Sequence, residues 1–357
     1  MKRKILIFSV IILFFSILYG KGWKGKSYVK NGVKIIENYE SGFYMNKNIK
    51  FNETISIGKE EGKDYEILNG QYLDTAVSSK GNIYIFDGKQ YRLLKFDNTG
   101  KYVWQVGRKG EGPGEFKNGY CNIFVTPSDK IVVIDGLFLK YFDKDGKFKR
   151  AIKLDKTPVS ASFLKDGKIL INTMLFGQPG VAAYFYNKDG KFISKLPVEY
   201  RYGPKLSKNM GVSIGGGGIR IYNNRIYVSL PDRYEIREYD LKGKLYRVIR
   251  RDIKINPMNI KIMGKGSLMV FPSDASGPLF FYKNRYFINM IRKVEKRDKE
   301  KYAADNYLDF YDIEGKYIGS YKLPDRTTLK LIDKNGNFYF VQYDPVPRVY
   351  IAELLSK

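Results

Sequence analysis

Short runs of alternating apolar and polar residues follow one another along most of the chain, separated by turns rich in Gly, Asp and Asn. Leu93–Asp97 and Tyr102–Val106 are two such runs on either side of one turn. A period of two over four to eight residues is typical of β-strands with one buried face. The pattern therefore predicts an all-β protein.

One turn motif occurs five times: an aromatic residue, Asp or Asn, two variable residues, Gly, Lys, and an aromatic residue or Leu. The Asp or Asn side chain can bind the backbone of the turn that it opens, and Gly adopts the left-handed conformation that other residues enter at a cost. Each copy therefore predicts a hairpin. The copies are FDNTGKY (Phe96–Tyr102), FDKDGKF (Phe142–Phe148), YNKDGKF (Tyr186–Phe192), YDLKGKL (Tyr239–Leu245) and YDIEGKY (Tyr311–Tyr317).

A second unit, a polar turn followed by a short apolar strand, occurs six times. The copies are GNIYIFD (Gly81–Asp87), DKIVVID (Asp129–Asp135), GKILINT (Gly167–Thr173), NRIYVSL (Asn224–Leu230), NRYFINM (Asn284–Met290) and GNFYFVQ (Gly336–Gln342). This unit supplies the first two strands of a four-stranded blade, and the turn motif joins the last two. A period of about 40 to 60 residues with four strands per unit predicts a six-bladed β-propeller.

The sixth blade reaches the end of the chain after its third strand, Arg348–Leu355, which would leave an unpaired edge. We therefore expect an N-terminal strand, Ile49–Ile57, to close this last blade. The predicted domains are a signal peptide or anchor at residues 1–20, an N-terminal arm at 21–48 and the propeller at 49–357. Within the arm, Lys21–Tyr44 is expected to be loose.

Met1–Gly20 combines a basic start, the apolar run Ile5–Leu18 and a small last residue, as secretory signal peptides do. A run of fourteen residues is short for a membrane span, although an uncleaved anchor is the alternative. The sequence thus predicts an exported protein, periplasmic or extracellular, or one tethered to the membrane by this segment.

The segment GRKGEGPGEF at Gly107–Phe116, directly after a predicted outer strand, resembles the linker between blades of NHL-repeat and related bacterial six-bladed propellers. A phosphate-binding loop is the alternative, but the segment lacks the strand-to-helix context and the Lys-Ser/Thr ending of such loops. We interpret it as a structural linker.

The chain contains no His and a single Cys, Cys121. It therefore has no Ser-His-Asp triad, no His-ligated zinc and no intramolecular disulfide. Cys121 is expected to be buried in a strand. Of the propeller enzymes that the resemblance implies, lyases with a histidine-bound metal are excluded. Lactonases that hold a divalent metal through carboxylate and amide oxygens remain an alternative, although no match to their ligands is visible.

Lys and Arg number 63 against 37 Asp and Glu, a formal net charge of +26. Such a charge attracts anionic partners, unless it only reflects a Lys-rich composition. Outside the cytoplasm these partners would be a protein or an anionic glycan, or an anionic membrane surface, and nucleic acid is disfavoured. The leading hypothesis is an exported, non-catalytic binding or scaffold propeller of the cell envelope. The alternative is a metal-assisted lactonase or lyase with a carboxylate-lined channel. No cofactor is predicted, and a divalent metal such as calcium belongs to the alternative.

In a propeller, the loops between strands two and three and the links between blades lie on one side of the channel, here called the mouth face. The residues predicted there are Asp87, Gln90, Tyr91, Arg92, Arg108, Lys109, Asp135, Gln178, Asp232, Arg233, Tyr234, Asp344 and Arg348. In three blades an Arg follows an Asp in this loop, and an Asp–Arg hydrogen bond within the blade is favoured over ligand contact.

The turns on the opposite side, here called the far face, are expected to form a partial ring of cations that could dock the protein on an anionic surface. Solvated turn lysines without any partner are an equally good interpretation. The ring consists of Lys80, Lys101, Lys130, Lys147, Lys168, Lys191, Arg225, Lys244, Lys283, Lys316 and Lys334. Two insertions interrupt the repeat, one at Asn256–Gly277 and one after Met290, whose composition favours a short exposed helix.

Overall fold

Strands account for nearly all the regular structure in the computed structural model of the protein. The structure describes residues 22–58, 62–68, 70–173, 175–177, 183–198, 205–207, 210–213, 218–230, 233–255, 259–262, 268–271, 274–296, 302–344 and 346–355. The predicted signal segment, Met1–Gly20, lies outside these residues.

Six four-stranded blades form a ring, so that the protein is a six-bladed β-propeller as predicted; in blade four two further strands extend the sheet. Blade one follows a 3-10 turn (Gly70–Tyr72) and contains β4 (Leu73–Val77), β5 (Ile83–Asp87), β6 (Arg92–Phe96) and β7 (Tyr102–Val106). Blade two contains β8 (Asn122–Val125), β9 (Ile131–Asp135), β10 (Phe138–Phe142) and β11 (Phe148–Lys153). Blade three contains β12 (Pro158–Phe163), β13 (Ile169–Thr173), β15 (Ala183–Tyr186) and β16 (Phe192–Lys195).

The second half of the ring repeats this plan. Blade four contains β19 (Ile219–Tyr222), β20 (Arg225–Ser229), β21 (Glu235–Asp240) and β22 (Leu245–Arg251). Blade five contains β25 (Ala275–Tyr282), β26 (Tyr286–Lys296), β27 (Tyr302–Asp312) and β28 (Tyr317–Lys322). Blade six contains β29 (Thr327–Ile332), β30 (Asn337–Gln342), β31 (Arg348–Leu355) and β3 (Lys50–Ile57).

The hydrophobic core lies between neighbouring blades. The second strands come from the six repeated apolar units, and in β5, β9 and β13 every residue is buried. Phe116 illustrates the packing, because its fully buried ring stands between Phe86 of blade one and Phe142 of blade two. A single blade would expose apolar side chains on both faces of its sheet, so its stability depends on both neighbouring blades.

All five turn motifs form the predicted hairpins between strands three and four. In the first, the Asp97 carboxylate accepts hydrogen bonds from the backbone N–H groups of Thr99 and Lys101, and Gly100 has a φ of 87°. Each hairpin shifts register by one residue where the aromatic residue enters the turn. The motif thus specifies an Asx turn followed by a bulge.

The ring is closed as predicted from the missing strand. β3 pairs antiparallel with β31, with Phe51 opposite Leu354 and Ile57 opposite Val349. The buried side chain of Ile57 joins the core between blades six and one. The first and last parts of the propeller are therefore held together within one sheet.

The expectation of a loose arm at Lys21–Tyr44 is wrong for the described residues. β1 (Gly25–Lys30) and β2 (Val33–Asn38) form a hairpin, and β2 pairs in parallel with β22 at the outer edge of blade four. Asn38 anchors this hairpin, because its side-chain oxygen accepts hydrogen bonds from the Trp23 indole and the Tyr317 backbone, both at 2.8 Å. The hairpin thereby covers an edge that would otherwise be unpaired.

Segments that connect the blade strands between β13 and β25 add two small sheets to the ring. β14 (Leu175–Gly177), β17 (Lys205–Ser207) and β18 (Met210–Ser213) form one sheet, and β23 (Asn259–Ile262) pairs with β24 (Leu268–Phe271). β17 contacts β23, so the segment between blades three and four meets the predicted insertion between blades four and five. The helix expected after Met290 is not formed where the chain is described: residues 291–296 and 302–306 continue β26 and β27 as an extended hairpin.

Candidate functional site

The first strands of the six blades enclose a central channel of about 770 Å³. A space of this size is typical of sites for small molecules. Its walls combine apolar side chains with a few charged ones, chiefly Asp74 on β4, Arg220 on β19 and Lys330 on β29. The lining also includes Lys283 and Lys334, which stand in far-face turns.

Asp74 and Lys330 form an ion pair across the channel wall. The Lys330 ammonium lies 3.2 Å from Oδ1 of Asp74, while Oδ2 accepts the backbone N–H of Ile123 at 2.9 Å. Burial lowers the pKa of Lys330, but the Asp74 carboxylate outweighs that effect and the net shift is upward. Lys330 therefore remains charged inside the channel.

Arg220 stands in the same channel without an ion pair to any described residue. Its Nε donates a hydrogen bond to the Leu279 carbonyl at 3.2 Å, and its guanidinium carbon lies 5.9 Å from the centre of the Phe280 ring. Burial lowers the pKa of Arg220, and the Asp74 carboxylate opposes this shift. Arginine keeps its charge in proteins, so the channel contains a fixed guanidinium.

A pair of tyrosines forms the rim of the channel on the mouth face. Tyr72 and Tyr120 directly precede the first-strand regions of blades one and two, and their ring centres are 4.5 Å apart at an angle of 49°. Tyr120 is 74% exposed. A Cβ at Gly88 would collide with the Gly119 carbonyl, so this close approach of two loops requires glycine and holds the rim in place.

The Gly-rich linker beside this rim is closed by its own backbone. Phe116 and Arg108 share a hydrogen bond of 2.9 Å, and the Glu115 carboxylate binds Arg108 Nε at 2.7 Å and the Gly112 N–H at 2.9 Å. These bonds agree with a structural linker. The Lys109 ammonium lies 5.5 Å from the centre of the Tyr91 ring, which places a cation and an aromatic ring next to each other near the rim.

The predicted pair of Asp87 and Arg92 is a buried contact within blade one. Arg92 Nη2 lies 3.1 Å from Asp87 Oδ2, and the same guanidinium donates to Gln105 Oε1 at 2.7 Å and to the Glu66 carbonyl at 2.7 Å. Burial raises the pKa of Asp87 in spite of Arg92. This arrangement supports the predicted anchoring role of the pair.

Asp135 occupies the matching position in blade two. It is buried against Lys140, whose ammonium lies 2.6 Å from Oδ2, and it also accepts the N–H groups of Lys117 and Asn118. Burial alone would raise the pKa of Asp135, but these donors lower it overall. Both acids at the ends of second strands are therefore saturated by protein groups.

The Asp-to-Arg pairing expected in blade six is wrong. Asp344 pairs with Arg326 at 2.7 Å, whereas Arg348 donates to Gln342 Oε1 at 2.8 Å and contacts Glu53 on the closing strand. In blade four Asp232 lies outside the described residues, as does Gln178 of blade three. Asp344 does not pair as Asp87 does because the two acids are placed differently. Asp344 lies beyond the end of β30, whereas Asp87 is the last residue of β5.

The remaining predicted mouth residues divide between core and surface. Tyr234 is buried and donates a hydrogen bond to Asp309 at 2.6 Å, so it does not face the channel mouth as a free side chain. Arg233 lies 3.8 Å from Glu235. The Gln90 amide donates to the Glu66 carbonyl at 3.2 Å. Of the set, Tyr91 lies against Gly119, the residue before Tyr120, and Lys109 lies beside the Tyr91 ring.

Five residues of this site were not among those predicted: Asp74, Arg220, Lys330, Tyr72 and Tyr120. The prediction considered loops, whereas three of these residues belong to first strands. The sequence did contain a signal for the channel residues, namely a charged residue in an otherwise apolar first strand, as in TTLKLI at Thr327–Ile332. Because a buried strand gives such a side chain no contact with water, its presence indicates that the strand lines a channel.

The far-face cations lie in the turns as predicted, because strands alternate in direction within every blade. Nine of the eleven are exposed, while Arg225 and Lys316 are half-buried. Neighbouring turns touch: the Asp129 carboxylate accepts the Ser79 N–H at 2.8 Å, and Lys95 donates to the Lys144 carbonyl at 2.9 Å. Acids in these same turns offset part of the positive charge.

Within the described ranges, no three Cys, Asp or Glu side chains come close enough to hold a metal ion together. The same part of the chain includes no helix with the length and hydrophobicity of a membrane span. Cys121 is buried immediately before β8, in agreement with its predicted burial, and this burial raises the pKa of its thiol.

Residues 69–211 match the model of a family described as a 6-bladed beta-propeller, DUF5128. No curated protein matches the sequence. Among solved structures, a DUF4221 family member from Bacteroides vulgatus aligns with a TM-score of 0.58 at 12% identity, covering 87% of this chain and 99% of that protein. A Bacteroides fragilis protein described as exported aligns with the same score and identity over 90% and 99%. At such identity the similarity shows the fold alone.

A gluconolactonase from Xanthomonas campestris is more distant, with a TM-score of 0.44 at 14% identity over 79% of this chain and 85% of that protein. This similarity is too weak to assign an activity. The six-bladed propeller architecture is thus supported from three directions: the repeats, the structure and the family match.

Proposed function

We propose that this chain is an exported, non-catalytic binding propeller of the cell envelope that holds an anionic glycan at its mouth face. The observation that carries the proposal is the tyrosine pair at the channel rim. Tyr120 is 74% exposed although its ring leans on Tyr72, so a large aromatic surface is fixed in position and left uncovered. Solvent-exposed, pre-oriented aromatic rings mark binding surfaces.

The chemistry near the rim suits an acidic sugar chain. A tyrosine ring offers an apolar face to the C–H groups of a sugar ring and a hydroxyl for hydrogen bonds. Arg108, with an 81% exposed side chain, and Lys109 stand on the same face and can attract carboxylates. The strongly positive charge of the whole chain increases the rate of encounter with such a partner.

Export is supported by the sequence of Met1–Gly20, with its basic start and apolar run. The similarity in fold to a Bacteroides fragilis protein described as exported is consistent with it. In that location an anionic glycan or an acidic protein is within reach, whereas nucleic acid is not the expected partner.

The proposal is tested by affinity electrophoresis of the purified full chain in gels that contain polygalacturonate or, as a neutral counterpart, dextran. Polygalacturonate should retard the parent protein and dextran should not. Tyr120→Ala should abolish most of the retardation, whereas Tyr246→Ala should not, because Tyr246 is a comparably exposed tyrosine (52%) on β22 of blade four.

Equal retardation of the parent and Tyr120→Ala proteins would contradict glycan binding at the tyrosine rim. Turnover of a lactone or ester by the parent, together with a stoichiometric divalent metal in the purified protein, would contradict a non-catalytic role and favour the lactonase or lyase alternative.

A further inference from the structure

The central channel holds more positive than negative charge at its narrow inner wall. Arg220 of blade four and Lys330 of blade six are separated by blade five, and both line the channel with Asp74. Within the described residues, Asp74 is the one carboxylate in ion-pair contact with either cation. Its Oδ2 also accepts the Ile123 N–H, so one carboxylate, itself hydrogen-bonded to the backbone, faces two cations.

The Arg220 guanidinium has donor nitrogens that remain available for a ligand. Only Nε forms a hydrogen bond among the described residues, to the Leu279 carbonyl. The two terminal nitrogens of the guanidinium make no hydrogen bond or ion pair within that part of the chain. Arg237, which is half-buried as Arg220 is, differs because its Nε lies 2.6 Å from Oε1 of Glu235. A guanidinium with free terminal nitrogens is suited to bidentate contact with an oxyanion.

We propose that the channel binds a small ligand through its carboxylate, which Arg220 and Lys330 hold together. At the inner wall, two cations and one carboxylate leave a net charge of one, which a single carboxylate neutralises. Lys283, Lys334 and Asp333 at the far-face end of the lining add a further net charge of one. The walls supplied by Leu279, Phe280 and Leu329 are apolar, so the body of the ligand packs against hydrocarbon and aromatic surface. A channel of about 770 Å³ accommodates a ligand of one or two sugar rings in size.

The far-face opening of the channel carries further cations. Lys283 and Lys334 line the channel where it meets the turns of blades five and six, and both are exposed. They provide an electrostatic entrance for an anion. Neither Tyr72 nor Tyr120 lines this channel, so binding of a small carboxylate there can be measured apart from glycan binding at the rim.

Isothermal titration calorimetry of the full chain at constant ionic strength tests the proposal, with sodium D-glucuronate as the carboxylate probe, D-glucose as its neutral counterpart and sodium phosphate as the alternative anion. Glucuronate should bind and glucose should not. Arg220→Gln should weaken glucuronate binding about tenfold or more. Arg150→Gln, which removes an exposed arginine from β11, should leave it unchanged.

Asp74→Asn is expected to strengthen glucuronate binding, whereas a folding defect would weaken it. The substitution removes the carboxylate that competes for Lys330 but keeps an oxygen for the Ile123 N–H, so glucuronate should bind several-fold more tightly than to the parent. Tyr120→Ala should have no effect on this titration, which separates the channel from the rim.

Three results overturn the proposal: no heat of binding from glucuronate with the parent protein, unchanged affinity in Arg220→Gln, or weaker binding in a normally folded Asp74→Asn protein. Tighter binding of phosphate than of glucuronate would overturn the assignment to a monoanionic carboxylate.

Discussion

Arg251 of blade four contacts Asp309 of blade five through a salt bridge in which both side chains are fully buried. The Asp309 carboxylate also accepts the Tyr234 hydroxyl at 2.6 Å, and the Arg251 guanidinium lies 3.6 Å from the centre of the Tyr317 ring. Arg251 Nε in turn donates to the Glu40 carbonyl at 3.0 Å. One arginine therefore joins two blades and the N-terminal hairpin segment.

Replacing Arg251 by Met should destabilise the protein by about 3–5 kcal/mol, because the buried Asp309 carboxylate loses its counter-charge. Thermal unfolding followed by circular dichroism measures this. The matched control is Arg326→Met, since the Arg326–Asp344 pair is exposed and should contribute at most about 1 kcal/mol. Adding Asp309→Asn to Arg251→Met should recover part of the loss; no recovery would mean that the two charges are not coupled.

Closure of the ring is tested by a disulfide between the first and last strands of blade six. Asn52 and Glu353 are exposed and directly opposite each other in the pairing of β3 with β31. With both replaced by Cys, mild oxidation should give a crosslinked monomer that migrates differently on a non-reducing gel. Asn52→Cys combined with Leu355→Cys is out of register and should crosslink poorly. The reverse preference would show a different register or no closure by this strand.

Acid should weaken the anchor at Asp135. The pKa of this carboxyl is lower in the folded protein than in the unfolded chain, because Lys140, the backbone N–H of Lys117 and the Asn118 side chain favour its charged form over the opposing effect of burial. Its contribution to stability is therefore present above the unfolded pKa and lost as the pH falls through the folded pKa. The difference in melting temperature between the parent and Asp135→Asn should shrink from pH 6 to pH 3. A constant difference would contradict the role assigned to the carboxylate.

The far-face cations predict salt-sensitive adhesion to anionic surfaces. Reversing Lys101, Lys147 and Lys191 to Glu should weaken sedimentation with vesicles of anionic phospholipid at low salt, and added salt should weaken the parent in the same way. Reversing Arg108, Lys109 and Lys117 on the mouth side changes the net charge equally and serves as the control. If both triple variants lose binding to the same extent, net charge and not the far face is responsible.

Local signals in the sequence were sufficient to predict the blades and the closure of the ring. The Asp-x-x-Gly-Lys turns predicted hairpins because Asp and Gly impose the same Asx turn and bulge in each copy, and the missing strand after Arg348–Leu355 predicted closure by Ile49–Ile57. These features depend on neighbours in sequence or on the requirement that sheet edges be paired.

The parts that could not be predicted depend on contacts between distant residues. The pairing of β2 with β22 joins segments about 210 residues apart and leaves no local pattern. The Lys- and Glu-rich segment after Met290 has a helical composition, yet pairing across β26 and β27 outweighs that weak preference. The channel was missed for the same reason, because Arg220 and Lys330 become neighbours of one cavity only when the ring closes.

The most direct test of the proposed function is hydrogen exchange of the parent protein with and without polygalacturonate, followed by mass spectrometry of peptides. Binding at the mouth face predicts slower exchange in peptides that contain Tyr72 and Tyr120 and in the linker Gly107–Phe116, with the turns at Lys101, Lys147 and Lys191 unchanged. Protection confined to those far-face turns, with the rim exchanging as in the free protein, would contradict it.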